Sequence, residues 1–247
     1  MADATARRPP TRFALILVLA FLLGLFTILL RVRGGEQDQP TPDVATRRTI
    51  LVLGVDDLTA DTPRLVGVWE ATFQDERREV FLLGWPADVL VCSPKAQPLN
   101  ELFEWSPERG VNPQFLAALD GQQLFPPQVI IVADEVGFRS LIDWRGGIEM
   151  SGAPLSGAQV VAVLRPLYGN PSGALAIQEQ IAASLARKLP SLGERLDLDW
   201  VAPLMPDHLY MSHSVQEVLR FLLPLTPLDT TPIWVSTLAA DPTSCDS

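Results

Sequence analysis

Phe13 to Leu30 is an apolar run of 18 residues broken only by Gly24 and Thr27. At about 1.5 Å per residue it spans about 27 Å as a helix, close to the roughly 30 Å hydrocarbon core of a bilayer. The run ends in Leu29-Leu30-Arg31-Val32-Arg33 with no small-residue cleavage site, so it reads as an uncleaved anchor rather than a secretory signal. Arg7, Arg8, Arg12 and the amino terminus precede it, against Arg31 and Arg33 behind it. That bias places residues 1–12 in the cytoplasm and the bulk of the chain outside the membrane, with 13–30 as one transmembrane helix. Residues 31–47 carry glycine, proline and charge without an apolar period and read as a linker.

Behind the linker, apolar runs alternate with helical patterns. Thr49–Val55, Arg64–Thr72, Glu79–Trp85, Val129–Ala133, Ile148–Ser151 and Pro232–Thr237 read as strands, the second and third joined by the charged tip Gln74–Arg78. Asn112-Pro113 is an N-cap and first-turn pair for a helix through Leu119, with Gly121 after it. Asp134 caps a helix to about Asp143, Gly146-Gly147 turns the chain, and Ser156 caps a helix to Arg165. Ser172–Leu189 is the longest soluble helix, with Ile177, Ile181, Leu185 and Leu189 on one stripe. Ser214-x-x-Glu217 is a capping box for a helix through Leu223. The alternation predicts an α/β fold, an αβα sandwich around a central mixed β-sheet. It occupies residues 48–240, with 241–247 as a frayed tail.

Composition narrows the chemistry. The net charge is −10, and the 14 basic and 28 acidic residues beyond position 33 give −14. An acidic domain with no basic helix-turn-helix excludes nucleic acid as a partner, because phosphate backbones are held through dense Lys and Arg. Lys95 and Lys188 are the only lysines, so nearly all positive charge is arginine. Two cysteines and two histidines are too few for a zinc cluster or a disulfide framework. Cys92 and Cys245 stand 153 positions apart, the second in the tail, and their pairing is left open. The sequence holds none of HExxH, GxxxxGK[ST], GxGxxG or GxSxG. His208 and His213 read as surface residues, and Trp85, Trp105 and Trp144 as core or groove wall.

The order of short motifs resembles the LytR-CpsA-Psr family of bacterial envelope proteins over nearly the whole chain. The family's membrane anchor is followed by a strand ending in Gly-Val-Asp, here Ile50–Asp57. Ala60-Asp61-Thr62 stands for its Ser-Asp-Thr element, Pro86-Ala87-Asp88 for its Pro-Arg-Asp element, and Asn100 for a downstream asparagine. Gly137–Ile148 matches its G-F-x-x-L-(V/I)-D-x-x-G-G-(I/V) segment. Leu155-Ser156-Gly157 and Arg165 match the ends of the next helix, and Gln178 sits at its arginine-glutamine pair.

The resemblance implies transfer of a phospho-glycan from a polyprenyl pyrophosphate to peptidoglycan, with Mg2+ at the pyrophosphate. Phosphoryl transfer spreads negative charge over several oxygens, so it needs carboxylates for the cation and arginines for the phosphates. Asp61 and Asp88 are the implied catalytic and metal-holding pair, and Arg165 a catalytic phosphate contact. Asp56, Arg64, Asn100 and Gln178 are implied substrate-binding residues. Each has a plainer reading beside this one: Asp56 and Asp57 as turn caps, Asn100 as a helix cap, and Arg165 as a complement to a helix dipole.

The chain departs from the family in one direction. The other phosphate-facing arginines fall on Thr59, Ala87, Leu167, Ala174 and Ile177, although the chain holds 17 arginines. Removing one oxyanion donor typically costs about 10²–10³ in rate. The expectation is therefore a degenerate, membrane-anchored envelope protein that binds polyprenyl-phosphate lipid or wall glycopolymer with weak or no catalysis. The alternatives are an active Mg2+-dependent phosphotransferase and a membrane-tethered protein-interaction domain. If a lipid groove is retained, the helices at 156–165 and 172–189 should wall it, with Ile177 near its mouth.

Overall fold

The computed structural model describes residues 47–74, 76, 79–92, 95–120, 126–150, 152–188, 201–222 and 232–238. The expected membrane span, most of the linker and the tail lie outside the described residues, as does Leu189 of the helical stripe. No helix among the described residues is long and apolar enough to cross a membrane.

Strand β1 (Arg47–Val55) is apolar at consecutive positions because both of its faces are covered. Ile50 and Val52 enter one core cluster, while Leu51, Leu53 and Val55 enter the other. β1 pairs antiparallel with β2 (Leu65–Gln74), which pairs antiparallel with β3 (Glu79–Trp85). On its other side β1 runs parallel to β8 (Val129–Ala133). The sheet is completed by β11 (Leu209–Met211), antiparallel to β8, and by β12 (Ile233–Thr237), parallel to β3. The order β11-β8-β1-β2-β3-β12 mixes parallel and antiparallel pairs, as expected from the sequence.

One face of the sheet packs against α3 (Glu135–Trp144), α4 (Gly157–Leu164), α5 (Pro171–Lys188) and α6 (Val215–Leu222). Leu141, Ile142, Val160, Leu164, Ile181 and Leu185 are the buried contributions of α3, α4 and α5. The other face is covered by α1 (Leu99–Leu102) and α2 (Pro113–Asp120), through Leu99, Phe115 and Leu119. The helices expected after Asn112, Asp134, Ser156 and Ser214 all form, and the long helix runs one residue ahead of its expected start.

The sequence pattern missed most of the short elements. β4 (Leu90–Cys92) pairs with β5 (Ala96–Pro98), β6 (Trp105–Ser106) with β7 (Gly110–Val111), and β10 (Ala153–Leu155) with β9 (Ile148–Met150), the one of these that was expected, as Ile148–Ser151. Pieces of two or three residues are too short to show a period of two. β11 was missed for the same reason, although it is an edge of the main sheet. Cys92 is disulfide-bonded, and the chain's second cysteine lies outside the described residues.

Candidate functional site

Strand polarity gathers the motif residues. Gly54 stands opposite both Gly67 and Ala133, and Val68 stands opposite Trp85. The end of β1, the start of β2, the end of β3 and the end of β8 therefore share one edge of the sheet. The loop 56–64, the turn 86–89 and the start of α3 emerge there together.

The loop is closed by its own side chains. Asp56 accepts hydrogen bonds from the Arg64 amide at 2.8 Å and from Arg64 Nε at 2.7 Å, and its own amide donates to the Arg64 carbonyl. Asp57 accepts from the amide and hydroxyl of Thr59 at 2.9 and 2.7 Å, an Asx-type turn. The Thr59 hydroxyl holds the Asp57 carboxyl below its ordinary value. The turn readings of Asp56 and Asp57 are thus realised, and Asp56 consumes Arg64. Asp61 and Asp88 are both exposed on this edge, and neither is hydrogen-bonded to another described residue. Leu99 donates to the Val89 carbonyl at 2.9 Å, which brings exposed Asn100 on α1 alongside the Asp88 turn. Asn100 does not cap α1, whose N-cap is Pro98 with no side-chain bond.

Beneath this edge, between the sheet and α3–α5, lies a narrow cleft of about 70 Å³ that opens to solvent. Its walls are apolar: Val52 and Trp69 from the sheet, Phe138 from α3, Leu164 from α4 and Ile181 from α5. Gln178 braces the floor, its Oε1 accepting from Trp69 Nε1 at 2.9 Å and its Nε2 donating to the Val66 carbonyl at 2.9 Å. Its amide is thereby engaged at both ends by the protein itself. The expected helices wall the cleft, but Ile177 is half-buried against the core and is not part of the lining. Trp85, Trp105 and Trp144 line no part of it either; Trp85 is buried in the opposite layer.

Polar groups meet at the mouth. Asp134, 3% exposed, caps α3 by accepting from the amides of Val136 and Gly137 at 2.8 and 3.0 Å. Its second oxygen meets His208 Nδ1 at 2.7 Å. His208 is partly exposed and reaches Asp134 because β11 carries it back to the end of β8. Glu135 follows, and both its oxygens are taken by the guanidinium of Arg165, through Nε at 3.0 Å and through Nη2. The Tyr168 hydroxyl also donates to Glu135 Oε1 at 2.9 Å. The Arg165 hydrogen bond, aided by Tyr168, holds the Glu135 carboxyl below its ordinary value, while burial and the facing carboxylate push the Tyr168 phenol well up. The single arginine in family register is thus forked onto an internal carboxylate.

No group of three His, Cys, Asp or Glu that could hold a metal occurs among the described residues, and Asp56 and Asp57 are already committed to Arg64 and Thr59. Sequence reasoning missed Glu135, Tyr168, Trp69 and the His208 pairing. Arg165 and Tyr168 three residues apart gave a faint signal, since such residues share a helix face. Trp69 gave none, lying inside a continuous apolar strand.

No protein-family model matches the sequence, and no curated protein does so either. Solved structures do match in fold. TagV of B. subtilis superposes with a TM-score of 0.60 at 17% identity, covering 80% of this chain and 86% of its own. TagT bound to LIIa-WTA gives 0.59 at 15% identity, over 86% and 87% of the two chains. The transcriptional regulator yvhJ from Bacillus subtilis gives 0.58 at 16%, over 80% and 84%. The central mixed sheet and its helical layers agree with these structures: this chain has the LytR-CpsA-Psr fold.

Proposed function

We propose that this chain is a membrane-anchored, extracytoplasmic protein of cell-envelope biogenesis whose cleft holds the prenyl chain of an envelope lipid or lipid-linked glycopolymer, with weak or no phosphoryl transfer. One observation carries the reading. An apolar cleft sits beside the motif edge in a fold shared with TagT, solved with LIIa-WTA and LI-WTA, yet Arg64 and Arg165 near that edge are paired with Asp56 and Glu135. The lining favours a hydrocarbon chain, and the missing arginines disfavour transition-state charge.

The N-terminal apolar run supports anchoring at the membrane where such lipids reside, and the charge bias around it supports an external domain. The disulfide at Cys92 fits an oxidising compartment. Of the motif residues, exposed Asp61 and Asp88 have the right chemistry to meet a cation.

The test uses full-length protein in nanodiscs. A diazirine-bearing polyprenyl probe should crosslink to the cleft peptides around Leu164 and Ile181, and a polyprenyl pyrophosphate substrate with Mg2+ should show no turnover above background. Turnover abolished by Asp61→Ala would establish the phosphotransferase reading instead. A cleft that takes no probe would leave the interaction-domain reading standing.

A further inference from the structure

Glu135, Arg165 and Tyr168 form one cluster at the mouth of the cleft. Arg165 places Nε and Nη2 on the two oxygens of Glu135, and Tyr168 donates to one of them. A fork of this kind is how a guanidinium binds a phosphate. The edge of the guanidinium that would fork onto a phosphate is therefore engaged from within the chain. Arg64, another cation on this edge, gives its Nε to one oxygen of Asp56, whose other oxygen takes the Arg64 amide. Asp57, Asp61, Asp88 and buried Asp134 add further carboxylates on the same edge. A pyrophosphate seated here would displace Glu135 from Arg165 or lie unscreened among carboxylates. An uncharged hydroxyl faces neither penalty, and it can donate to a Glu135 oxygen.

We propose that Glu135 is a specificity-determining residue, a built-in counter-anion that makes the cleft select a long prenyl chain ending in an alcohol over the same chain ending in pyrophosphate. This rests on the reading of the cleft as a chain-binding site and names its head-group class. It assigns Glu135 no chemical step.

Full-length protein in phosphatidylcholine nanodiscs would be crosslinked with diazirine-bearing geranylgeraniol and, separately, with the same chain as its pyrophosphate. Adducts would be mapped by mass spectrometry. The expected result is cleft labelling by the alcohol at least about tenfold above that by the pyrophosphate, since one unpaired charge near a site readily outweighs a tenfold preference. Glu135→Gln should narrow the ratio at least about threefold by raising pyrophosphate labelling, and Glu135→Asp should restore it. The wild-type ratio is decisive even if a variant misfolds: equal labelling, or a preference for pyrophosphate, overturns the proposal and leaves the cleft reading intact. Labelling confined to residues 13–30 with either probe overturns the cleft reading and the proposal together.

Discussion

Glu135 accepts from both Arg165 and Tyr168, so its ionised form is the one the fold favours. Its carboxyl sits below the ordinary 4.5, first through the Arg165 bond. A carboxyl lowered on folding adds stability above its unfolded value and loses it as pH falls through the folded one. The stability difference between wild type and Glu135→Gln should therefore be largest above about pH 5 and shrink on acidification towards pH 3, read by urea unfolding across that range. Arg165 is well exposed, so water screens part of the effect. A second residue-scale prediction concerns the turn before β9. Gly147 has φ +85° and a Cβ there would lie 2.5 Å from the Leu155 carbonyl oxygen. Gly147→Ala should cost roughly 1–3 kcal/mol by overpacking and backbone strain. Gly146 has φ +71° with open space around it, so Gly146→Asn should change stability by less than about 0.5 kcal/mol.

At the scale of elements, helix starts anchor the layer that covers the cleft. α4 opens on a capping box from Ser156 and Gln159, and Ser214 Oγ accepts from the Glu217 amide at the start of α6. Both are exposed and replaceable by water, so Ser214→Ala should cost about 0.5–2 kcal/mol. Asp134 differs because it is buried and also holds His208 and the loop residue Leu58, whose amide lies 3.5 Å away. Asp134→Ala strands those partners as well as the cap of α3, and should cost about 2–4 kcal/mol in a urea midpoint measurement. It should also loosen the 56–64 loop, seen as faster amide exchange there.

For the whole molecule, the prediction is topological. Residues beyond 33 carry −14, and the arginine bias around 13–30 points the same way as the disulfide at Cys92. A reporter fused after Ser247 should be active only outside the cytoplasm, and Cys92 should resist alkylation until reduced. A reporter active only in the cytoplasm would overturn the envelope assignment.

The sequence by itself determined the long elements, the layer architecture and the family resemblance. β1, β2, β3, β8 and α5 announce themselves because each buries enough side chains to leave an apolar run or stripe in the sequence, and Asp134, Ser156 and Ser214 carry their caps in residue type. It also brought out the missing arginines. Tertiary structure decided the rest. β11 is three residues long and becomes a strand only because β8 offers it an edge, and that pairing carries His208 to Asp134. Trp69, Leu164 and Ile181 are distant in sequence and look like ordinary core; only the gap between the sheet and α3–α5 makes them a wall. The state of Arg165 shows the limit most plainly. Its position in a motif fixed which residue stands there, but whether its guanidinium is offered to a ligand depended on Glu135, 30 positions earlier in the chain. Local patterns record what a residue does along its own helix or strand, whereas charge pairing across elements depends on distances that only packing creates.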